Sequence, residues 1–195
     1  SFVNDSMVQI KYMSKTLSDF RNFLKPSTKK VLFSISKALN EINEIIGKQV
    51  FYSNINMSFN YKNENEELLI YGYENEFKQV LLNIINNAKN KIIEKNLPIN
   101  KKGSIDINIK RCEESNMIEI IDDAGAIDEK IINSIFEPYF TTKEDGMGLG
   151  LYMAKIIIED KMKGTINVRN YKNCVIFTIN LPFKRIKNEN FTFRR

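Results

Sequence analysis

Five amide side chains stand out between residues 74 and 94: Gln79, Asn83, Asn86, Asn87 and Asn90. At about 100° per residue they fall within one arc of about 100° on a helix. Opposite them, Phe77, Leu81, Ile84, Ala88 and Ile92 recur at spacings of three and four, as a buried stripe does. Asparagine costs up to ~0.7 kcal/mol relative to alanine in a helix, and a merely solvated face ordinarily uses Lys and Glu. Neutral amides offer donors together with a carbonyl oxygen, which suits a hydrated Mg²⁺ and phosphate oxygens. The chain holds 25 asparagines, however, so compositional bias on an ordinary wet face would produce the same arc.

Two further stretches have chemical potential. Asp122-Asp123-Ala124-Gly125-Ala126-Ile127 follows a strand-like run, and acid next to small residues makes a tight turn that a ligand can approach. An ionised carboxylate only accepts hydrogen bonds, so Asp122 could hold an exocyclic amino group such as that of adenine. The alternative is a plain turn whose Asp128 caps the next helix. Gly146-Met147-Gly148-Leu149-Gly150-Leu151 runs directly into a helical pattern. Glycines leave backbone N–H groups open, and a helix N-terminus adds roughly half a positive charge, which makes a phosphate cradle, although three spaced glycines also occur in many ordinary loops. No Lys-Ser/Thr pair follows and no strand immediately precedes it, which excludes a P-loop and a Rossmann turn.

The elements that must position these residues are legible in outline. Residues 2–25 carry an apolar stripe of helical period, stopped by Pro26, with Ser27-Thr28 as a hinge. Strands are expected at 31–35, 50–59 and 67–71. A helix capped by Ser36 runs to 46 and ends at Gly47. Residues 74–94 form the strongest helix, 104–110 and 117–121 a hairpin, and 128–135 a short helix. Residues 136–150 form a loop, 151–162 a helix ended by Gly164, and 165–169 with 175–181 the closing strands. The sum is an α+β two-layer sandwich, a mixed sheet with helices on one face and no internal repeat.

Composition excludes several chemistries. The 195 residues contain no histidine, so Ser-His-Asp and Cys-His catalysis, histidine metal sites and phosphohistidine on this chain are all ruled out. Cys112 and Cys174 lack metal spacing and read as free thiols of a reducing compartment. No apolar run is long enough for a membrane span, and no secretory signal opens the chain. The net charge of +5 is mild and gathers partly at Lys184, Arg185, Lys187, Arg194 and Arg195, a solvated tail rather than a nucleic-acid surface.

Taken in order, the motifs resemble those of the ATP-binding catalytic domain of bacterial sensor histidine kinases, within the Bergerat-fold superfamily. Residues 76–88 are similar to the asparagine box, and Asp122–Ile127 stand where the first glycine box stands. Phe136-Glu137-Pro138-Tyr139-Phe140-Thr141-Thr142-Lys143 resembles the phenylalanine box, and Gly146–Leu151 the second glycine box. The close, Gly164-Thr165-Ile166 with Phe177-Thr178-Ile179-Asn180-Leu181-Pro182, also fits, so the resemblance covers 27–183. Residues 12–23 resemble the second helix of the dimerisation hairpin. The implied division is therefore a hairpin remnant at 1–26, the catalytic domain at 27–183 and a basic tail at 184–195.

The resemblance implies roles. Asn87 would coordinate Mg²⁺ on the ATP triphosphate, with Asn83 one turn away positioning the site. Asn90 and Lys91 would lie near the phosphates, and Asp122 would receive the adenine amino group beside Gly125, Ala126 and Ile127. Residues 136–150 would form a mobile lid, with Lys143 a phosphate contact. Gly146, Met147, Gly148, Leu149, Gly150 and Leu151 would shape its hinge, and Thr178 would help hold adenine. The γ-phosphate would pass to a hairpin histidine for relay to a response regulator receiver domain. It further implies a homodimeric, cytoplasmic parent, inner-membrane anchoring left open, and a weak dimer or monomer for this chain, without nucleic-acid or membrane contact.

Two departures qualify the match. In the family the acceptor histidine belongs on a first hairpin helix, and the resemblance implies that this sequence starts inside the second. Asp123 and Ala126 stand where the family has Asn and Gly. Positive φ at Ala126, or a methyl aimed at the ligand, would weaken nucleotide binding, an effect the charge of Asp123 would add to. A serine kinase of the anti-sigma type and a nucleotide-binding pseudokinase are the alternatives. Chaperone and DNA-acting ATPases of the superfamily carry a catalytic Glu at the position of Asn83, which argues against hydrolysis as the main task.

Overall fold

A computed structural model of the chain describes residues 26–62, 67–95, 97–98, 100–143 and 146–183. The expected helix at 2–25 and the basic tail at 184–195 lie outside the described residues. Among the described residues seven strands and three helices follow in the order β1 (Val31–Ser34), α1 (Ile35–Tyr52), β2 (Ile55–Tyr61), β3 (Leu69–Gly72), α2 (Glu74–Glu94), β4 (Gly103–Arg111), β5 (Ser115–Asp122), α3 (Gly150–Lys155), β6 (Thr165–Tyr171) and β7 (Cys174–Pro182). Helix α3 widens into a π-helical turn at Ile156–Lys161.

The main sheet has five strands in the order β2-β4-β5-β7-β6. Only β2 and β4 run parallel, because α2 is the crossover between them. On β4, Ile105, Ile107 and Ile109 are fully buried under the helices, while Ser104, Asp106 and Asn108 alternate to the other face. This is the α+β sandwich expected. One correction concerns β1 and β3, which pair with each other as a separate two-stranded antiparallel sheet. Pattern alone does not assign strand partners.

Helix α1 runs through Gly47 to Tyr52, so the expected stop at 47 and the strand start at 50 are both wrong. Ile35, Leu39, Ile42, Ile46 and Val50 form one buried stripe. Burying Ile46 and Val50 is worth roughly 1.5–3 kcal/mol each, which outweighs the ~1 kcal/mol cost of an interior glycine. The helix ends instead where Asn54 turns left-handed at φ 59°. Its N-cap is Ser34, whose Oγ accepts the Lys37 N–H, and not Ser36.

Residues 128–135 are a chain of turns rather than a helix. The N–H groups of Ile131, Ser134 and Glu137 each reach back three residues to a carbonyl, and Asp128 spends its carboxylate on the Lys130 N–H. Ile131, Ile132 and Ile135 mimic a helical stripe, but only Ile135 is buried. Helix 74–94, by contrast, has the bounds expected. Its N-terminal half is buried well beyond one stripe, Val80, Leu82 and Ile85 included, since it lies between α1 and α3. The Ser27 hinge is fastened: its N–H donates to the Glu76 carboxylate at 3.3 Å.

Candidate functional site

A cavity of about 440 Å³ opens between α2, the end of β5, β7 and the loop before α3. Helix α2 contributes Asn83, Asn87 and Lys91, which the 3.6-residue period stacks on one side. The turn after β5 contributes Asp122, Gly125, Ala126 and Ile127, and the loop contributes Lys143, Gly146, Gly148, Gly150 and Leu151. Three stretches far apart in the sequence therefore meet at one hollow.

Asp122 ends β5 opposite Val175 of β7 and is 4% exposed. Burial pushes its carboxyl up to about 6; the Ala124 N–H at 3.1 Å opposes this, Asp123 adds to it, and Lys95 works against it. A carboxylate so desolvated gains from any donor brought to it. The turn behind it is fastened by Asn170 of β6, which accepts the Ile127 N–H at 2.9 Å and donates to the Ile127 carbonyl at 2.8 Å.

The amide wall carries one occupied acceptor and one unpaired donor. Asn87 Oδ1 accepts from the Lys143 ammonium at 3.2 Å, so a cation already sits against the oxygen. Asn83 Nδ2 is buried without a hydrogen-bond partner. An unpaired buried donor beside a cavity is costly unless a ligand satisfies it, by about 1–3 kcal/mol. The helix start is pressed close: a Cβ on Gly150 would lie 2.5 Å from Asn83 Oδ1. Among the described residues no three Cys, Asp or Glu side chains gather as a metal site. A divalent ion held on Asn87 would take its remaining ligands from phosphate oxygens and water, and the residues present fit a metal–nucleotide in that way.

Gly148 adopts φ +66°, and an added Cβ would approach the Tyr139 carbonyl carbon to 2.4 Å. The glycine thus lets the loop fold back on its own phenylalanine segment, where Tyr139 is itself left-handed at φ 64°. The start of that segment is anchored by Phe136, whose ring meets Phe177 edge-on at 6.3 Å.

A family model described as histidine kinase-, DNA gyrase B-, and HSP90-like ATPase matches residues 72–185. The chain belongs to this ATPase family. Sporulation kinase A of Bacillus subtilis (strain 168) is 32% identical over 171 residues, covering 86% of this chain. The chain spans only 27% of that relative's length. The nucleotide-free catalytic domain of the histidine kinase ThkA matches with a TM-score of 0.68 at 29% identity, over 80% of this chain and 96% of that one. A crystal structure of ThkA in complex with the response regulator TrrA, 23% identical with a TM-score of 0.66, covers 94% of this chain and 51% of that one and shares the fold.

Within this ATPase domain four expected site residues stand apart from the cavity. Asn90 continues the amide face of α2 without lining it. Met147 is 78% exposed, and Leu149 serves as the N-cap of α3. Thr178 is a correction: Val175 and Phe177 line the cavity, so alternation turns Thr178 to the opposite face of the sheet, beside Glu119 and Asn167. Val175 and Phe177 themselves, with Ala88, Ile135 and Phe140, supply apolar walls not singled out from sequence. For Val175 and Phe177 the signal is the β5–β7 register, which no local pattern contains.

The expected strain at Ala126 is also corrected. Ala126 is not among the residues with positive φ, and it is exposed at the cavity rim. Asp123 turns from the cavity, its Oδ1 accepting the Ser104 N–H at 2.9 Å. Ala126→Gly is therefore expected to leave nucleotide affinity within about twofold and to lower stability by about 0.4–1 kcal/mol. Paired calorimetric and thermal titrations of both proteins check this.

Proposed function

We propose that this domain binds ATP with Mg²⁺ and serves as the phosphate-donating catalytic domain of a sensor histidine kinase. The observation that carries the reading is one cavity lined at once by Asn87, Asp122 and the loop glycines. Asp122 accepts the adenine amino group, and the buried site turns that single bond into base selectivity. Asn87 would hold the metal through its side-chain oxygen, while Asn83, whose buried Nδ2 lacks a partner, would turn it toward the polyphosphate. The metal, when bound, neutralises phosphate charge. Lys143 leaves Asn87 for the phosphates, and the loop glycines let backbone N–H groups approach them. The chain's own contribution to transfer is thus position and charge, with no covalent intermediate.

The acceptor is a histidine that this chain, having none, does not supply. The downstream partner is a response regulator receiver domain, the kind of protein that ThkA is complexed with. No described helix is long and apolar enough to cross a membrane, and we place the domain in the cytoplasm, where ATP is.

Calorimetry with a non-hydrolysable ATP analogue tests the reading. Asn87→Ala should weaken binding at least tenfold with Mg²⁺ and far less without it. Labelled ATP should leave no acid-labile phosphate on the chain itself, yet label a supplied histidine-bearing hairpin in trans. Absence of binding heat at millimolar analogue refutes the site. Acid-stable label on a serine of a partner instead would replace the histidine kinase by a serine kinase.

A further inference from the structure

Helix α2 carries both asparagines, and its start is built in an unusual way. Tyr73 is the N-cap residue and makes no side-chain capping bond. Ser27, just past Pro26, fills that role from a distance. Its Oγ accepts the Asn75 N–H at 3.2 Å, across 48 residues of sequence. The Glu76 carboxylate in return accepts the Ser27 N–H, with both oxygens at 3.3 Å.

These are the two reciprocal bonds of a capping box, in which a serine hydroxyl takes an orphan N–H of the first turn and the third helical residue reaches back to the serine amide. Counting from Tyr73, Glu76 is that third residue. The serine alone is displaced to another part of the chain. Glu76 is 5% exposed and Ser27 half-buried, so the carboxylate end of the pair is shielded from competing water. On its other side the same turn is held to α1 by Lys78, also 5% exposed, which donates to Glu41 at 2.7 Å and, within α2, to Glu74 at 3.3 Å. The first turn is thus tied to the domain body through Lys78 and Glu41, and to the segment entering at Pro26 through Ser27.

We propose that Ser27 is a positioning residue: it completes the capping box of α2 from a distant segment of the same chain, and so couples the path of the chain at Pro26 to nucleotide occupancy at Asn83 and Asn87. The asparagines lie about 12 and 18 Å along the helix from Asn75, at 1.5 Å per residue. A helix packed on several sides moves as a unit, so a bias applied at its first turn reaches the cavity as a small axial shift. Such coupling is reciprocal: nucleotide must tighten the clip by as much as the clip tightens nucleotide. The inference rests on the nucleotide reading above.

The test uses the full 195-residue chain. Amide hydrogen exchange at Ser27, Asn75 and Glu76 is followed by NMR with and without saturating ATP analogue and Mg²⁺. The analogue should slow exchange at these amides several-fold in the wild type. Ser27→Ala should abolish that response and weaken analogue binding about two- to fivefold, and Ser27→Thr, which keeps the hydroxyl, should restore both. A purely structural serine would lower the melting temperature and leave the nucleotide response intact, which would overturn the proposal. Binding heat without any exchange response in the wild type sinks the coupling alone. Absence of binding heat sinks the nucleotide reading and the coupling with it.

Discussion

Gly148→Ala is expected to reduce nucleotide affinity at least thirtyfold while leaving the domain folded. The backbone is left-handed there at φ +66°, a conformation that costs a non-glycine residue roughly 1–2 kcal/mol. The new methyl would also fall 2.4 Å from the Tyr139 carbonyl carbon and 2.7 Å from the Phe140 nitrogen, both backbone atoms that cannot rotate aside. The loop must open to admit it, and a thirtyfold loss corresponds to only about 2 kcal/mol. Gly146→Ala is the graded control, because its Cβ would meet the Thr141 hydroxyl at 2.3 Å, and a side chain can turn away. Calorimetric titration of both variants, with thermal denaturation alongside, checks the order. Equal affinities for wild type and Gly148→Ala would show that the loop conformation is immaterial to binding.

Asp122→Asn is expected to stabilise the domain at neutral pH and to remove a pH dependence. In the folded protein the carboxyl titrates at about 6, above its ordinary 3.8. The folded state therefore holds a proton that the unfolded state has lost between about pH 4 and 6, and stability falls as pH rises through that window. Above it the full cost of the buried charge remains, up to about 2–3 kcal/mol at roughly 1.4 kcal/mol per pKa unit. Asparagine avoids this cost. Binding of an amino donor favours the charged form, so wild-type affinity for adenine nucleotides should rise with pH through about 6, and the Asn variant should show no such rise. Denaturation midpoints and analogue titrations from pH 4.5 to 8, as a working range of about that span, measure both. A flat wild-type profile would mean that Asp122 does not meet the base.

The parts of the molecule legible in sequence are those in which local chemistry and global packing agree. Helix 74–94 is an example: its apolar stripe, its amide face and its bounds all survive into the structure. Asp122 and the glycine loop were visible because few residue types serve a desolvated acceptor or a left-handed turn. The errors share a different cause. At Gly47 a local stop signal lost to the burial of Val50, one turn further on. At 128–135 isoleucine spacing imitated a helix that the backbone does not form. Thr178 followed from resemblance, although the alternation of Val175 and Phe177 already put it on the far face. The separation of β1 and β3 from the main sheet, and the clip from Ser27 to Glu76, depend on pairings that no window of sequence contains.

The seating of Asp122 beside Val175 also bears on how the domain comes into being. One apolar wall of the cavity, Val175 and Phe177, arrives on β7, whose partners on either side are β5, synthesised much earlier, and β6, synthesised just before. Such non-local pairing is the slow part of folding, because the intervening chain must be closed before the contacts repay it. Ligand competence should therefore emerge in the last kinetic phase, together with the docking of β7, and not with the early formation of helical signal. A nascent chain that has left the ribosome only as far as the glycine loop would own the asparagines, the carboxylate and the glycines, and would still lack the β7 wall of the cavity.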